Sequence, residues 1–169
     1  MNQHPHQLNV NNQSYQITSL LGKGKGGYSY LAITPKGKQV VLKQIHHEPC
    51  DYYQFGNKIE SELKDYETLS KVGITLPKLL DVDKENERIV KEYIPGDTVS
   101  EERKKGRLPE IYFEEIQKMC QKLYPAHLNI DYFPTNFIYN RNILFYIDYE
   151  CNVYDPKWDF EHWGRQYWD

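Results

Sequence analysis

Three stretches of this sequence carry side chains that could grip a phosphorylated ligand. In Leu21-Gly22-Lys23-Gly24-Lys25-Gly26-Gly27-Tyr28 the glycines, Gly22, Gly24 and Gly27 among them, can bend a backbone over a ligand and offer N–H groups to phosphate. Alone, such a stretch is as often a plain turn between strands. Lys43 ends an apolar run twenty-one positions after Gly22, which would put an ammonium beneath the glycine-rich hairpin to neutralise phosphate oxygens. Glu62 follows on a helical segment where a carboxylate could hold that lysine, with Glu60 and Glu67 as rivals by composition. The third stretch holds Asp131 and Asn136, five residues apart, and then Asp148 after an apolar run. Two carboxylates and an amide can hold Mg²⁺ through hard oxygen ligands and leave one carboxylate to orient a hydroxyl.

The elements that must position these groups follow from periodicity. Ser14 to Leu42 reads as strand, glycine-rich turn, strand, turn at Pro35-Lys36-Gly37-Lys38, strand: an antiparallel meander. Residues 1–13 are polar and turn-rich, a loose tail or a short lead-in strand. Ile59, Leu63, Tyr66, Leu69 and Val72 recur at helical spacing and Gly73 stands where a C-terminal cap belongs, which predicts a helix over 58–72. Two strands, 79–82 and 88–93, flank an acidic turn. Pro95-Gly96 closes this half. Ile111, Ile116, Met119, Cys120 and Leu123 predict a second helix with Pro109 at its first position, and 136–139 with 143–147 predict a hairpin.

The ordered set of glycine-rich loop, strand lysine, helix glutamate, aspartate-to-asparagine loop and late aspartate resembles the protein kinase superfamily, over about Leu20 to Phe160. Ile147-Asp148-Tyr149-Glu150, followed by Asp155-Pro156-Lys157-Trp158-Asp159, is similar to the I-D-x-E and D-P-x-x-D pattern of the branch with aminoglycoside phosphotransferases, choline kinases and small bacterial or archaeal kinases. The resemblance implies an α+β, two-lobed kinase-like fold: a tail at 1–13, an N-lobe of sheet plus one helix at 14–96, and a truncated, mainly helical C-lobe at 97–169. It implies ATP and Mg²⁺ as ligands. Gly22, Gly24 and Gly27 would cover the phosphates, Lys43 grip them and Glu62 pair with Lys43. Glu92 and Ile94 would meet adenine through their backbone at a hinge. Asp131 would be the catalytic aspartate, and Asn136 and Asp148 the metal ligands. The expected activity is transfer of the γ-phosphate to a hydroxyl, as by a minimal serine/threonine kinase, with a nucleotide-binding pseudokinase and a small-molecule kinase as alternatives. Four departures bear on turnover: Asn129 stands where the family's loop has histidine, Lys91 precedes the hinge, Ser29 replaces a valine, and no A-P-E motif follows Asp148.

Composition narrows the partners. An apolar fraction of 39% and an aromatic fraction of 14% in 169 residues argue for a folded chain. A net charge of -3 offers no bulk attraction to nucleic acid or an acidic membrane, so neither is expected as a partner. With no long apolar run and three widely spaced cysteines, the expectation is a cytoplasmic protein. His46-His47-Glu48-Pro49-Cys50 has metal-binding residue types, but adjacent histidines point in different directions. Arg103, Lys104, Lys105 and Arg107 lack interleaved aromatics and read as a solvated loop. Trp158, Phe160, Trp163, Tyr167 and Trp168 would seal the shortened second half, or else serve as a dimer or partner surface. The acceptor, protein or small molecule, is not legible.

Overall fold

A computed structural model describes residues 4–24, 26–48 and 57–169. The chain is α+β and divides into two compact units, Met1–Ser61 with Lys78–Tyr93, and Glu62–Pro77 with Ile94–Asp169. The expected boundary at 96 thus falls at Tyr93/Ile94, and most of the first long helix belongs to the second unit.

The first unit is one antiparallel sheet. Its strands are β1 (Gln7–Val10), β2 (Gln13–Lys23), β3 (Gly27–Ile33), β4 (Gln39–Ile45), β5 (Leu79–Asp83) and β6 (Arg88–Glu92), in the order β1-β2-β3-β4-β6-β5. The lead-in residues are therefore not a loose tail throughout: Val10 is fully buried, and β1 pairs with β2 from Gln7↔Gln16 to Val10↔Gln13. One face of the sheet buries Tyr15, Ile17, Tyr30, Ala32, Val40, Leu42 and Val90, the period-two alternation that fixes strand register. The expected third strand ended at Leu42, but Ile45 is buried and pairs with Gly27, so β4 runs on and Lys43 lies inside it.

Helix α1 (Lys58–Val72) matches its predicted span and ends as predicted at Gly73, whose φ of 89° suits glycine. Gly73 N–H donates to Ser70 O (3.1 Å) and Ile74 N–H to Leu69 O (3.0 Å), the paired bonds of a Schellman cap. Lys122 Nζ adds a cation on Gly73 O at 3.1 Å.

The second unit packs α2 (Val99–Lys105), α3 (Glu110–Leu123) and α1 from Glu62 onward with two small antiparallel pairs: β7 (Leu128–Ile130) with β10 (Cys151–Val153), and β8 (Phe137–Asn140) with β9 (Ile143–Tyr146). A π-helical turn, Phe160–Gly164, leads into α4 (Arg165–Trp168). The core joins Ile116 and Leu123 of α3 to Phe137, Leu144, Tyr146, Phe160 and Trp168, all nearly inaccessible. So the aromatic tail does seal this unit through Phe160 and Trp168, while Trp158 (51%) and Tyr167 (39%) stay exposed. Two local expectations are corrected. Arg103, Lys104 and Lys105 form the last turn of α2, because Thr98 and Glu101 make a reciprocal capping box and Gly106 ends the helix. Pro109 is the N-cap of α3, with extended ψ of 150°, not its first helical residue.

Candidate functional site

In the first unit the glycine-rich hairpin joins β2 to β3. Gly22 pairs with Ser29 inside the sheet, and Gly24 N–H closes the hairpin on Gly27 O at 2.9 Å, so that donor is not offered outward. Gly27 is needed for close approach: a Cβ there would fall 2.6 Å from Gln44 O and 3.1 Å from Lys43 Cε. The lysine stem therefore passes directly against the hairpin's base. The hairpin tip is tied down as well. Lys23 Nζ (3.1 Å) and the Tyr28 hydroxyl both reach the Glu48 carboxylate, which with these partners is held below the usual carboxylate range. His46 Nε2 lies 2.9 Å from Gly24 O, and His46 N–H donates to Gly26 O at 3.1 Å. The sequence had offered His46 and His47 as metal-ligand types; here they serve hairpin and turn, His47 meeting Glu87 at 2.7 Å, while Pro49 and Cys50 lie outside the described residues. Lys25 lies outside them too.

At the expected hinge, Glu92 is tied within the sheet: its N–H donates to Lys78 O (2.8 Å) and its carboxylate accepts from Lys78 N–H (3.1 Å). Lys91, one residue earlier, is buried. Ile94 is buried in the second unit.

Along α1 the three candidate carboxylates separate by environment. Glu60 pairs with Lys84 at 2.9 Å and Glu67 with Lys71 at 3.1 Å, both on the surface. Glu62 is the buried one.

The second unit brings Asp131, Asn136 and Asp148 into one hydrogen-bonded neighbourhood. Asn136 O accepts from Ile147 N–H at 2.9 Å, which sets Asp148 next to the Asn136 turn. Asn136 Nδ2 donates to Asp131 O at 3.3 Å, which turns the amide's donor inward and leaves its Oδ1 as the group available to a ligand. Asp131 Oδ1 accepts from Phe133 N–H (3.1 Å) and Asp148 Oδ1 from Tyr149 N–H (2.8 Å), each carboxylate keeping its second oxygen. This donor set of amide and carboxylate oxygens fits a hard divalent cation. Among the described residues no group of three or more His, Cys, Asp or Glu side chains gathers to hold a metal, so the fit rests on two carboxylates and an amide.

Sequence reasoning missed the groups that hold this loop in place. The fully buried Tyr146 hydroxyl accepts from Asp131 N–H (3.3 Å) and donates to Glu150 O (2.9 Å), and its burial raises it well above the usual phenol range. Trp168 Nε1 donates to Tyr132 O at 2.8 Å. Asn129, the residue in the histidine's place, donates to Asp155 O (3.0 Å) and faces the Tyr132 hydroxyl at 3.4 Å. The β7–β10 pairing, visible in no local pattern, sets this up by anchoring the residues just before Asp131 to those that follow Asp148. Behind it, Asp65 of α1 accepts from Cys151 N–H (3.3 Å) and Sγ (3.5 Å). Burial raises the Asp65 carboxyl and pushes the Cys151 thiol up to about 12.

No family model matches the chain. It is similar to a probable bifunctional tRNA threonylcarbamoyladenosine biosynthesis protein of Methanococcus maripaludis (strain C7), 28% identical over 163 residues. That match covers 88% of this chain and 29% of the relative, so the chain spans less than a third of the relative's length. No helix among the described residues is long and apolar enough to cross a membrane.

Proposed function

We propose that this protein is an ATP-dependent phosphotransferase of the kinase-like kind, transferring the γ-phosphate of Mg·ATP to a hydroxyl. The observation that carries the reading is the Asp131–Asn136–Asp148 neighbourhood, with the Asn136 amide donating to Asp131 O and its oxygen left as an acceptor. In this reading Asn136 and Asp148 hold the divalent cation, which supplies charge neutralisation on the phosphates when bound. Asp131 orients the acceptor hydroxyl and takes its proton as its oxygen bonds to the γ-phosphorus and the bond from that phosphorus to the departing ADP oxygen breaks. Lys43, its stem given room by Gly27, brings an ammonium to the phosphate oxygens, and Gly22, Gly24 and Gly27 shape the hairpin above it. Glu62, buried where Glu60 and Glu67 are not, keeps the role the resemblance gives it. Glu92 and Ile94 are the adenine-side residues, Glu92 with its N–H already engaged. Serine or threonine hydroxyls of a protein are the proposed acceptors.

The relative's name supplies a setting for such an activity: tRNA threonylcarbamoyladenosine biosynthesis. Deleting the gene would then lower that modified nucleoside in digested tRNA, read by mass spectrometry; an unchanged level would remove the setting without touching the phosphotransfer reading.

A second reading is a pseudokinase that binds nucleotide or a partner without turnover. It is favoured by the closed hairpin, where Gly24 N–H is engaged, and by buried Lys91. Transfer of labelled γ-phosphate that disappears in Asp148→Asn decides for the enzyme; nucleotide binding with no transfer to any acceptor or to the protein itself decides for the pseudokinase.

A further inference from the structure

Asp65 stands on α1 one turn after Glu62 and one turn before Leu69, both of which are buried, so a carboxylate occupies the face this helix turns inward. A carboxylate there loses hydration and needs donors in its place. One residue supplies two: Cys151 N–H reaches Asp65 Oδ2 at 3.3 Å and Cys151 Sγ reaches Oδ1 at 3.5 Å. The phosphotransfer reading gives this pair no part.

Cys151 lies three positions after Asp148 and opens β10 opposite Ile130, the residue before Asp131. Around Asp148 each neighbour is fixed by a bond. Ile147 N–H donates to Asn136 O (2.9 Å), the Tyr149 hydroxyl to Pro77 O, the Tyr146 hydroxyl to Glu150 O (2.9 Å) and Cys151 N–H to Asp65. The first three anchors belong to short strands, turns and loops. Asp65 is the one carried by a fifteen-residue helix, the most rigid support available to the segment.

We propose that Asp65 is a positioning residue of the cation site: by holding the Cys151 backbone against α1 it sets the spacing between Asp131 and Asp148. The inference deepens the phosphotransferase reading and rests on it. A cation held by few protein oxygens tolerates little change in their spacing, and groups that orient metal ligands are worth about 10–100-fold in affinity. Asp65 works through the backbone of a residue three positions from Asp148, which puts its effect at the lower end of that range. What β10 uses is an acceptor at a fixed place, so an amide oxygen in the same position does the same work. Without that acceptor, the pairing with Ile130 is left to hold Cys151.

The test uses the whole protein with ATP and reads the Mg²⁺ concentration that gives half of the ATP-induced rise in melting temperature. Asp65→Ala raises that concentration about tenfold. Asp65→Asn keeps an acceptor for Cys151 N–H and stays within about twofold of the parent. Cys151→Ala loses the thiol, keeps the N–H and behaves as the parent does. With transfer measured, Asp65→Ala needs about tenfold more Mg²⁺ for half-maximal rate while kcat at saturating Mg²⁺ is little changed, a split that a general loss of structure does not give. An unchanged Mg²⁺ requirement in Asp65→Ala would overturn the proposal. So would an Asp65→Asn as impaired as Asp65→Ala is expected to be, since charge and not position would then be at work; that variant decides even where Asp65→Ala fails to fold. No ATP-induced rise in the parent sinks the nucleotide reading and this inference with it, whereas a rise with the same Mg²⁺ requirement in the parent and Asp65→Ala sinks this inference alone.

Discussion

Asp131 is placed by its neighbours more than by its own side chain. Its N–H rests on the Tyr146 hydroxyl, its carbonyl takes the Asn136 amide, and its carboxylate takes Phe133 N–H. Asp131→Ala therefore keeps the two backbone anchors, losing the Phe133 N–H bond alone, and lowers phosphotransfer by about 10²–10⁴-fold with ATP binding kept; equal loss of both would take Asp131 out of the catalytic role. Tyr146→Phe removes the one oxygen that bridges Asp131 N–H and Glu150 O, two part-buried groups, at a cost of about 1–3 kcal/mol in all. Chemical denaturation measures that loss, and a variant as stable as the parent would show that the hydroxyl bridge contributes nothing. Asp65 gives a pH signature. Burial raises its carboxyl above the unfolded value of 3.8, so the folded protein holds this proton more tightly and stability falls as pH rises from the unfolded pKa through the raised one. Asp65→Asn keeps an acceptor for Cys151 and removes that loss. Its stability relative to the parent should improve as pH climbs through this window, and a constant difference across pH would contradict the assignment.

At the scale of elements, α2 depends on its cap. Thr98 Oγ1 accepts from Glu101 N–H at 3.2 Å while Glu101 Oε1 accepts from Thr98 N–H at 3.0 Å, and Val99 is the helix's buried residue. With so little core behind it, Thr98→Ala should cost about 1 kcal/mol in a denaturant titration; no change would mean that the short helix is held from elsewhere. The same helix shows what the sequence disclosed and what it hid. α1 was legible because five apolar residues keep helical spacing over fifteen positions and a glycine closes it. The β8–β9 hairpin was legible because its pairing is local across an Asn-Arg-Asn turn. α2 was missed because seven residues with one buried side chain carry no periodicity, although Thr-x-x-Glu was there to be read as a capping box. β7 and β10 were missed for a different reason: each is three residues long and its partner lies some twenty residues away, so neither has a local signature. Glycine placement was half legible. The sequence marked the hairpin, but that Gly27 is the position with no room for a Cβ depends on how β3 crosses Gln44 O. Gly27→Ala is expected to lower stability by about 1–3 kcal/mol.

For the molecule as a whole, motif order along the chain was readable, while the anchoring of the second unit was not. The aromatic C-terminal residues illustrate why: Phe160 and Trp168 are core, Trp158 and Tyr167 are surface, and a string of rings does not say which is which. The central claim is that this chain binds Mg·ATP. The measurement that tests it most directly is the melting temperature with saturating ATP, with and without Mg²⁺, in the parent protein and in Asp148→Asn. Ligand at about 100 times its dissociation constant adds about 2.7 kcal/mol, which for a protein of this size raises the midpoint by several degrees. The account predicts a rise that needs Mg²⁺ and is lost in Asp148→Asn. No rise in the parent, or an equal rise in both proteins, would contradict it.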